Sequence, residues 1–327
     1  MAETARSLWF VAPKTIEIRR EQIARGAGEA LVESRLMGIS HGTEMLFYRG
    51  IFPPDLITDE TLSSLGGRIG YPMKYGYINV GVTGEGRRVF AFYPHQDIFT
   101  LPPSELVSLP DELSFEDAVF LAHMETAASI VQDLNPVLGE TVLVLGQGTV
   151  GLLAAGILAS SCGVDVFTVD PLKIRRAASE ELGCRALDPG DSDVRKKLLD
   201  ATGGRGVDAA VNLSGSSEAL QLAIDTLCFE ATVIEASWYG SKNALLDLGA
   251  AFHRRRLQIR SSQVSHIGVR LSGRWDKKRR MGLALHWLGL LKPSRYITGV
   301  YSLSEAAEAY RIIDEHPERM LQVVLKP

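Results

Sequence analysis

Two textures of hydrophobic patterning divide the chain. From Gly139 onward, short runs of consecutive apolar residues alternate with longer Ala/Leu-rich stretches; the first hundred or so residues carry short β-type runs broken by glycine, proline and polar turns. In the later region Thr141–Leu145 is a run of β-formers of the kind that fills a central parallel strand. Leu152 to Ser161 is long enough and Ala/Leu-rich enough for a helix, and Val164 to Val169 repeats the buried-strand pattern. The alternation continues through a helix from Arg175 to Leu182, a strand from Val207 to Leu213, a helix from Ser217 to Leu227, and strands at Ala231–Ala236 and Leu257–Ser262. Five or six strands with intervening helices predict a doubly wound parallel sheet, with its ligand at the carboxyl ends of the strands.

In the early region Gly28–Ser34, Tyr77–Val82 and Arg88–Phe92 predict short strands of an irregular β-barrel-like domain, with no helical repeat of comparable length before Phe115. From Ile297 the pattern is strand, helix, strand: Ile297–Tyr301, Ser304–Glu315 with Ser302 or Ser304 as cap, and Leu321–Leu325.

Chemistry enters at the first turn of the alternating region. Gly146-Gln147-Gly148-Thr149-Val150-Gly151 lies between a predicted strand and a predicted helix. In that setting the first glycine allows a tight turn, the second lets backbone approach a pyrophosphate, and the third lets helix and strand pack closely. The helix N-terminus offers unpaired N–H groups and a positive dipole end to the phosphates. Asp170 ends the next strand, about 20 residues on, where a carboxylate accepts the ribose hydroxyls of NAD and repels the 2′-phosphate of NADP. Arg175, close behind with Lys173 and Arg176, suits a 2′-phosphate, so NADP stays open beside NAD. The later turns at Asn212–Gly215, Ala236–Gly240 and Ser261–Val264 bring Ser214, Ser237 and Ser262 to the cofactor.

Composition narrows the partners. A chain of 327 residues with a formal net charge of −4 is sized for one large or two average domains and does not suit general nucleic-acid binding. Met1 to Arg6 lacks an apolar signal core and no apolar run nears the roughly 20 residues of a membrane span, so a cytoplasmic protein with no membrane partner is expected. Cys162, Cys184 and Cys228 are too far apart for a Cys-x-x-Cys knuckle.

The order of a β-rich first domain, the Gly146-to-Gly151 unit and a returning C-terminal segment resembles the medium-chain dehydrogenase/reductase superfamily over nearly the whole chain. Gly38-Ile39-Ser40 resembles the Gly-Ile-Cys that carries the first catalytic zinc ligand, and Gly76-Tyr77-Ile78 the Gly-His-Glu that carries the second. Ala122 or His123 falls where the third usually sits, before Met124-Glu125-Thr126. Gly38 to Glu44 together with Tyr93–Gln96, Glu235–Gly240 and Ser261–Val264 is most similar to a bacterial branch usually labelled zinc-binding dehydrogenase, and the Gly38–Glu44 segment more distantly to bacteriochlorophyllide a dehydrogenases, although no feature of the sequence points to a tetrapyrrole. The resemblance implies an α/β chain: a GroES-like irregular β-barrel catalytic domain over 1–125 and 263–327, and a Rossmann domain over 126–262. It also implies a homodimer formed through an edge strand near Leu257–Ser262, and a nicotinamide seated with the help of Thr126.

Ser40 and Tyr77 are poor neutral ligands, so no metal is expected, although His41, Glu44, His123 and Glu125 supply the donors for a rebuilt His/carboxylate site. Without zinc, a carbonyl reaction still needs a hydrogen-bond donor at the developing alkoxide and a proton source. Tyr77 is the first candidate and His41 the second, relaying protons with Ser40 or Thr43; Glu44 and Glu125 orient these groups or bind a polar substrate. The structural alternatives are a Tyr77 packed in the barrel and a His41 that holds the fold or a cofactor phosphate. His95 and Gln96 read as loop hydrogen-bonders, and His253–Arg256 and Lys277–Arg280 as solvated helix faces or attractors of an anion.

The leading function is a zinc-independent NAD(P)-dependent dehydrogenase or ketoreductase of a small polar molecule or biosynthetic intermediate. Two alternatives stand beside it: an NADPH-dependent reductase of activated C=C bonds, against which Asp170 counts, and a non-catalytic NAD(H)-binding sensor or structural subunit.

Overall fold

Alternation of Ile16 and Ile18 with Glu17 and Arg19 marks an amphipathic strand in a region for which the sequence reading named none. In the computed structural model, which describes residues 3–53, 63–65 and 69–327, it is β2 (Thr15–Ile23), antiparallel to β1 (Glu3–Ala12). Of the Met1–Arg6 stretch, Met1 and Ala2 lie outside the described residues. β3 (Ala30–Ile39) is followed by a seven-residue helix, α1 (Thr43–Arg49), that the patterning did not predict. β4 (Met73–Lys74) joins β1, and β5 (Asn79–Thr83), β6 (Arg88–Ala91), β7 (Ile98–Leu101) and β8 (Leu106–Ser108) build a sheet on β3, before the one-turn α2 (Phe115–Ala118). β3 pairs along its start with β7 and along its length with β5. Compared with the sequence reading, β3 runs on to Ile39, and Tyr77 precedes β5 instead of lying within it.

The alternating region gives α3 (Leu121–Leu134), β9 (Thr141–Leu145), α4 (Thr149–Ser161), β10 (Asp165–Val169), α5 (Lys173–Glu180), β11 (Arg185–Leu187), α6 (Val194–Ala201), β12 (Val207–Asn212), α7 (Ser217–Thr226), β13 (Leu227–Glu235), β14 (Gln258–Ser261) and α8 (Lys277–Leu291). All five positions of β9 are buried, which is why its sequence is uninterruptedly apolar. The sheet is parallel throughout in the order β11-β10-β9-β12-β13-β14, the doubly wound order with its switch point between β9 and β12. Apolar clusters fill both its faces, one around Leu143, Phe167 and Ile224, the other around Val144, Leu158 and Ile234. The remaining elements are β15 (Ile297–Ser302), α9 (Ala306–Glu315) and β16 (Gln322–Lys326); β16 pairs antiparallel with the end of β3. Ser302 caps this segment, its N–H held 2.9 Å from the Glu305 carboxylate.

The chain separates into two compact units, Met1–Ala122 with Leu288–Pro327, and His123–Trp287. These bounds differ from the 125/126 and 262/263 positions read from the sequence. Arg280 gives the reason: its guanidinium reaches Glu125 and the carbonyls of Val264 and His266, joining 263–287 to the parallel-sheet unit.

Candidate active site

The glycine turn follows β9 in the parallel-sheet unit, and each glycine has a separate geometry. Gly146 sits at φ +87, and a Cβ there would lie 2.8 Å from the Ser214 nitrogen at the end of β12, so the switch point closes only on a glycine. A Cβ on Gly151 would lie 1.9 Å from the Gly146 carbonyl oxygen. Gly148, the N-cap of α4, has open space where its Cβ would be. Two glycines therefore serve packing, and the third leaves room for a ligand against the helix N-terminus. Thr149 and Val150 begin the helix and are half-buried.

Asp170 directly follows β10 and is buried. Its carboxylate accepts the Gln147 N–H at 2.7 Å and the Leu172 N–H at 2.8 Å, and Arg175 approaches to 3.7 Å. The acid that closes the fingerprint thus also fixes the backbone of the turn. At the other strand ends Ser214 donates to Asn212 Oδ1 at 2.7 Å, Ser237 accepts the Gly215 N–H at 3.0 Å, and Ser262 donates to Asp133 at 2.6 Å. Thr126 is half-buried on α3 between buried neighbours. The parallel strands bring Asp170, Ser214, Ser237 and Ser262 to the carboxyl edge of one sheet.

The two ligand-like segments of the β-rich unit meet for a reason of register. Met37 pairs with Asn79, and the Gly38 N–H donates to Ile78 O at 3.1 Å, which carries Ser40 to the level of Gly76 and Tyr77. Gly38 is tight there, since a Cβ would meet Val119 Cγ2 at 3.0 Å and Ile78 Cγ2 at 3.1 Å. The Tyr77 hydroxyl hydrogen-bonds Ser40 and Thr43; burial and the Glu44 charge push its phenol pKa up, against those two bonds. Ser40 is buried and His41 half-buried.

Glu44 does not face outward from α1. Its Oε1 accepts the Ser40 N–H at 2.9 Å, and its Oε2 meets His95 Nε2 at 2.9 Å and the Tyr310 hydroxyl. Sequence reasoning assigned His95 only to a loop and missed Tyr310. Gln96 does behave as a loop hydrogen-bonder, donating to Ile98 O at 2.6 Å.

Glu125, in the parallel-sheet unit, pairs with Arg280 at 2.9 Å. Burial pushes its carboxyl pKa up and Arg280 opposes the shift. This corrects the reading of Lys277–Arg280 as a solvated face: Lys277, Lys278 and Arg279 are exposed, but Arg280 is 1% exposed. A visible signal was its phase, which puts it on one stripe with the buried Ala284, Trp287, Leu288 and Leu291. Among the described residues, no group of three His, Cys, Asp or Glu side chains is placed to hold a metal ion. No helix of the described residues is long and apolar enough to cross a membrane.

Comparison with known proteins bears on the fold and on the parallel-sheet segment. Residues 149–277 match the zinc-binding dehydrogenase family. D-guloside 3-dehydrogenase of Escherichia coli (strain K12) is 27% identical over 223 residues, 67% of this chain and 64% of its own. (R,R)-Butanediol dehydrogenase of Bacillus subtilis (strain 168) is 30% identical over 164 residues, 50% of this chain and 45% of its own. The chain thus spans less than two thirds of the length of these curated relatives. In fold the likeness is complete: the solved 2R,3R-butanediol dehydrogenase from Bacillus subtilis has a TM-score of 0.80 at 19% identity, with 99% of each chain covered. An alcohol dehydrogenase from Escherichia coli CFT073, solved with cofactor NADH, has a TM-score of 0.79 at 19% identity, again with 99% of each covered. Residues 149–277 are thus similar to the zinc-binding dehydrogenase family, and the fold of the chain is that of the solved alcohol and butanediol dehydrogenases.

Proposed function

We propose that the protein is a zinc-independent, NAD-linked oxidoreductase that interconverts an alcohol and a carbonyl on a small polar molecule. The observation that carries this reading is Tyr77, whose phenol stands with Ser40 and Thr43 where the resemblance puts a metal ligand. Because burial opposes its ionisation, the phenol keeps its proton and can donate to a substrate oxygen as negative charge develops there. His41 is the group suited to exchange that proton with water. The relatives carry the names of dehydrogenases of a sugar derivative and a diol, which supports a hydroxyl-bearing substrate.

The donor set argues against a catalytic zinc. Such sites use three Cys, His or carboxylate ligands. Ser40 and Tyr77 offer neutral hydroxyls bonded to one another, and both Glu44 oxygens are engaged by Ser40 N–H, His95 and Tyr310. For the cofactor the residues do fit. Gly148 leaves room at the α4 N-terminus, and the Asp170 carboxylate stands at the end of β10, which favours NAD over NADP. A bound nicotinamide dinucleotide would supply the hydride chemistry. β14 is exposed at all four residues and, among the described residues, pairs with β13 alone, which supports a homodimer formed by strand addition; light scattering tests this, and a monomer excludes it.

Tyr77→Phe tests the core of the proposal. Turnover should fall about 100-fold, the size of losing one oxyanion donor, with NADH affinity by fluorescence titration unchanged. Full activity removes Tyr77 from the mechanism. Elemental analysis of protein prepared without chelator decides the metal, and stoichiometric zinc would overturn that part of the reading.

A further inference from the structure

Three polar side chains lie at 0% exposure inside the apolar core of the β-rich unit: Glu44, His95 and Tyr310. Each is held from more than one side. The Tyr310 ring packs edge-on to Phe10, centroids 5.4 Å apart, and against Tyr48 at 5.6 Å, which fixes where its hydroxyl points. His95 is pinned by its backbone, with its N–H on Tyr75 O at 3.1 Å and its carbonyl accepting the Leu8 N–H at 2.9 Å. Its ring lies against the next turn so closely that a Cβ on Gly76, at φ +105, would sit 2.5 Å from His95 Cγ and Cδ2. Glu44 completes the connection. One oxygen holds the Ser40 N–H, the other takes His95 Nε2 and the Tyr310 hydroxyl, and the Glu44 N–H returns to Ser40 O at 3.1 Å. A carboxylate that accepts from a ring nitrogen places the proton on Nε2, with His95 as donor.

These contacts join two chain segments that the β3–β5 register only brings near each other. Ser40 and Thr43 lie on one, Gly76 and Tyr77 on the other, and the Tyr77 hydroxyl bonds to the first. Among the described residues His95 Nδ1 finds no hydrogen-bond partner, but the three bonds gathered on Glu44 still specify geometry sharply, since any other arrangement leaves further buried groups unpaired. We propose that Glu44, His95 and Tyr310 are positioning residues, a buried polar strut that locks the Ser40–Thr43 turn to the Gly76–Tyr77 turn and so sets where the Tyr77 hydroxyl points. This rests on the reading of Tyr77 as the donor to substrate oxygen. It assigns to a carboxylate, an imidazole and a phenol the cross-linking of these two segments.

The test uses the full chain in two variants: Tyr310→Phe, which deletes one hydroxyl and keeps the ring, and Glu44→Gln, which keeps the shape and serves if Tyr310→Phe does not fold. Amide hydrogen exchange by mass spectrometry requires no substrate. Exchange should accelerate about tenfold or more in peptides covering both 38–44 and 75–80, with 323–325 in β16 unchanged as an internal control. In turnover assays kcat should fall about tenfold or more while the KM for NADH stays within about twofold. Acceleration confined to one turn, or absent from both, overturns the strut. Equal acceleration in β16 is the mark of a merely structural role and overturns it too, as does an unchanged kcat. Should the unaltered protein turn over no alcohol or carbonyl, the oxidoreductase reading and the role of Tyr77 both fall, while the exchange pattern still decides whether the two turns are locked.

Discussion

In the parallel-sheet unit the polar site is built from backbone within six consecutive residues, Gly146 to Gly151, while in the β-rich unit it is built from side chains at Ser40, Glu44, Tyr77, His95 and Tyr310. The first works by the absence of side chains: two glycines permit close packing and one leaves open space at a helix N-terminus. The second works by hydrogen bonds that converge on one buried carboxylate, from partners up to 266 positions apart in sequence. The backbone site depends most on Gly146 and Gly151, where a Cβ would meet backbone atoms, and on the Asp170 carboxylate that holds the turn. A side-chain site depends on each partner, because loss of one leaves the others buried without a bond.

That contrast can be broken by mutation, beginning with the largest expected effect. Glu44→Ala strands the His95 and Tyr310 polar atoms in the core and should cost about 3–5 kcal/mol by urea denaturation. A loss below about 1 kcal/mol would mean the side-chain site is as tolerant as the backbone one. Arg280→Met leaves the Glu125 carboxylate buried and unpaired, for a loss of about 3 kcal/mol at neutral pH. The sign with pH follows from the direction of the shift. Burial raises the folded-state pKa of Glu125 above its unfolded value, and loss of Arg280 raises it further, so the penalty is full above the folded pKa and disappears as pH falls below the unfolded one. Parallel pH–stability curves for variant and wild type would assign the cost to some other group. Gly151→Ala pushes a methyl into the Gly146 carbonyl and should destabilise by about 1–3 kcal/mol; a neutral outcome would deny the turn its tight packing. Asp170→Ala should shift the NADH-to-NADPH affinity ratio by about tenfold, about 1.4 kcal/mol, in a fluorescence titration. An unchanged ratio would leave Asp170 as a brace for the Gln147 and Leu172 amides alone.

The same contrast explains which parts could be read in advance. β9, α4 and β10 were legible because a strand buried on both faces must be apolar throughout and a dinucleotide turn must be glycine at fixed spacing. The doubly wound sheet followed from alternation, while its edge strand β11, only three residues long, was not named. β2 was missed although Ile16 and Ile18 alternate with charge, and α1 because seven residues give too little periodicity. Tyr310 was legible as a core position, since Ala306, Ala309, Tyr310 and Ile313 form one helical stripe, all buried. Its hydroxyl's partner was not, because no local pattern links α9 to α1. Arg280 shows the opposite failure: composition suggested a solvated run, while helical phase pointed inward.

The distance between Glu44 and Tyr310 also bears on how the protein is made. At about 5–20 residues per second of synthesis, 266 residues correspond to roughly 13–50 s between the emergence of the carboxylate and that of its phenol partner. Through that interval the β3 and α1 segment exists without the group that completes its burial. Glu44 has to stay hydrated, so the core around Phe10 and Phe47 cannot close over it until α9 arrives. All six strands of the parallel sheet, by contrast, have emerged once Ser261 is made, so that sheet is free to settle before the β-rich unit that begins first.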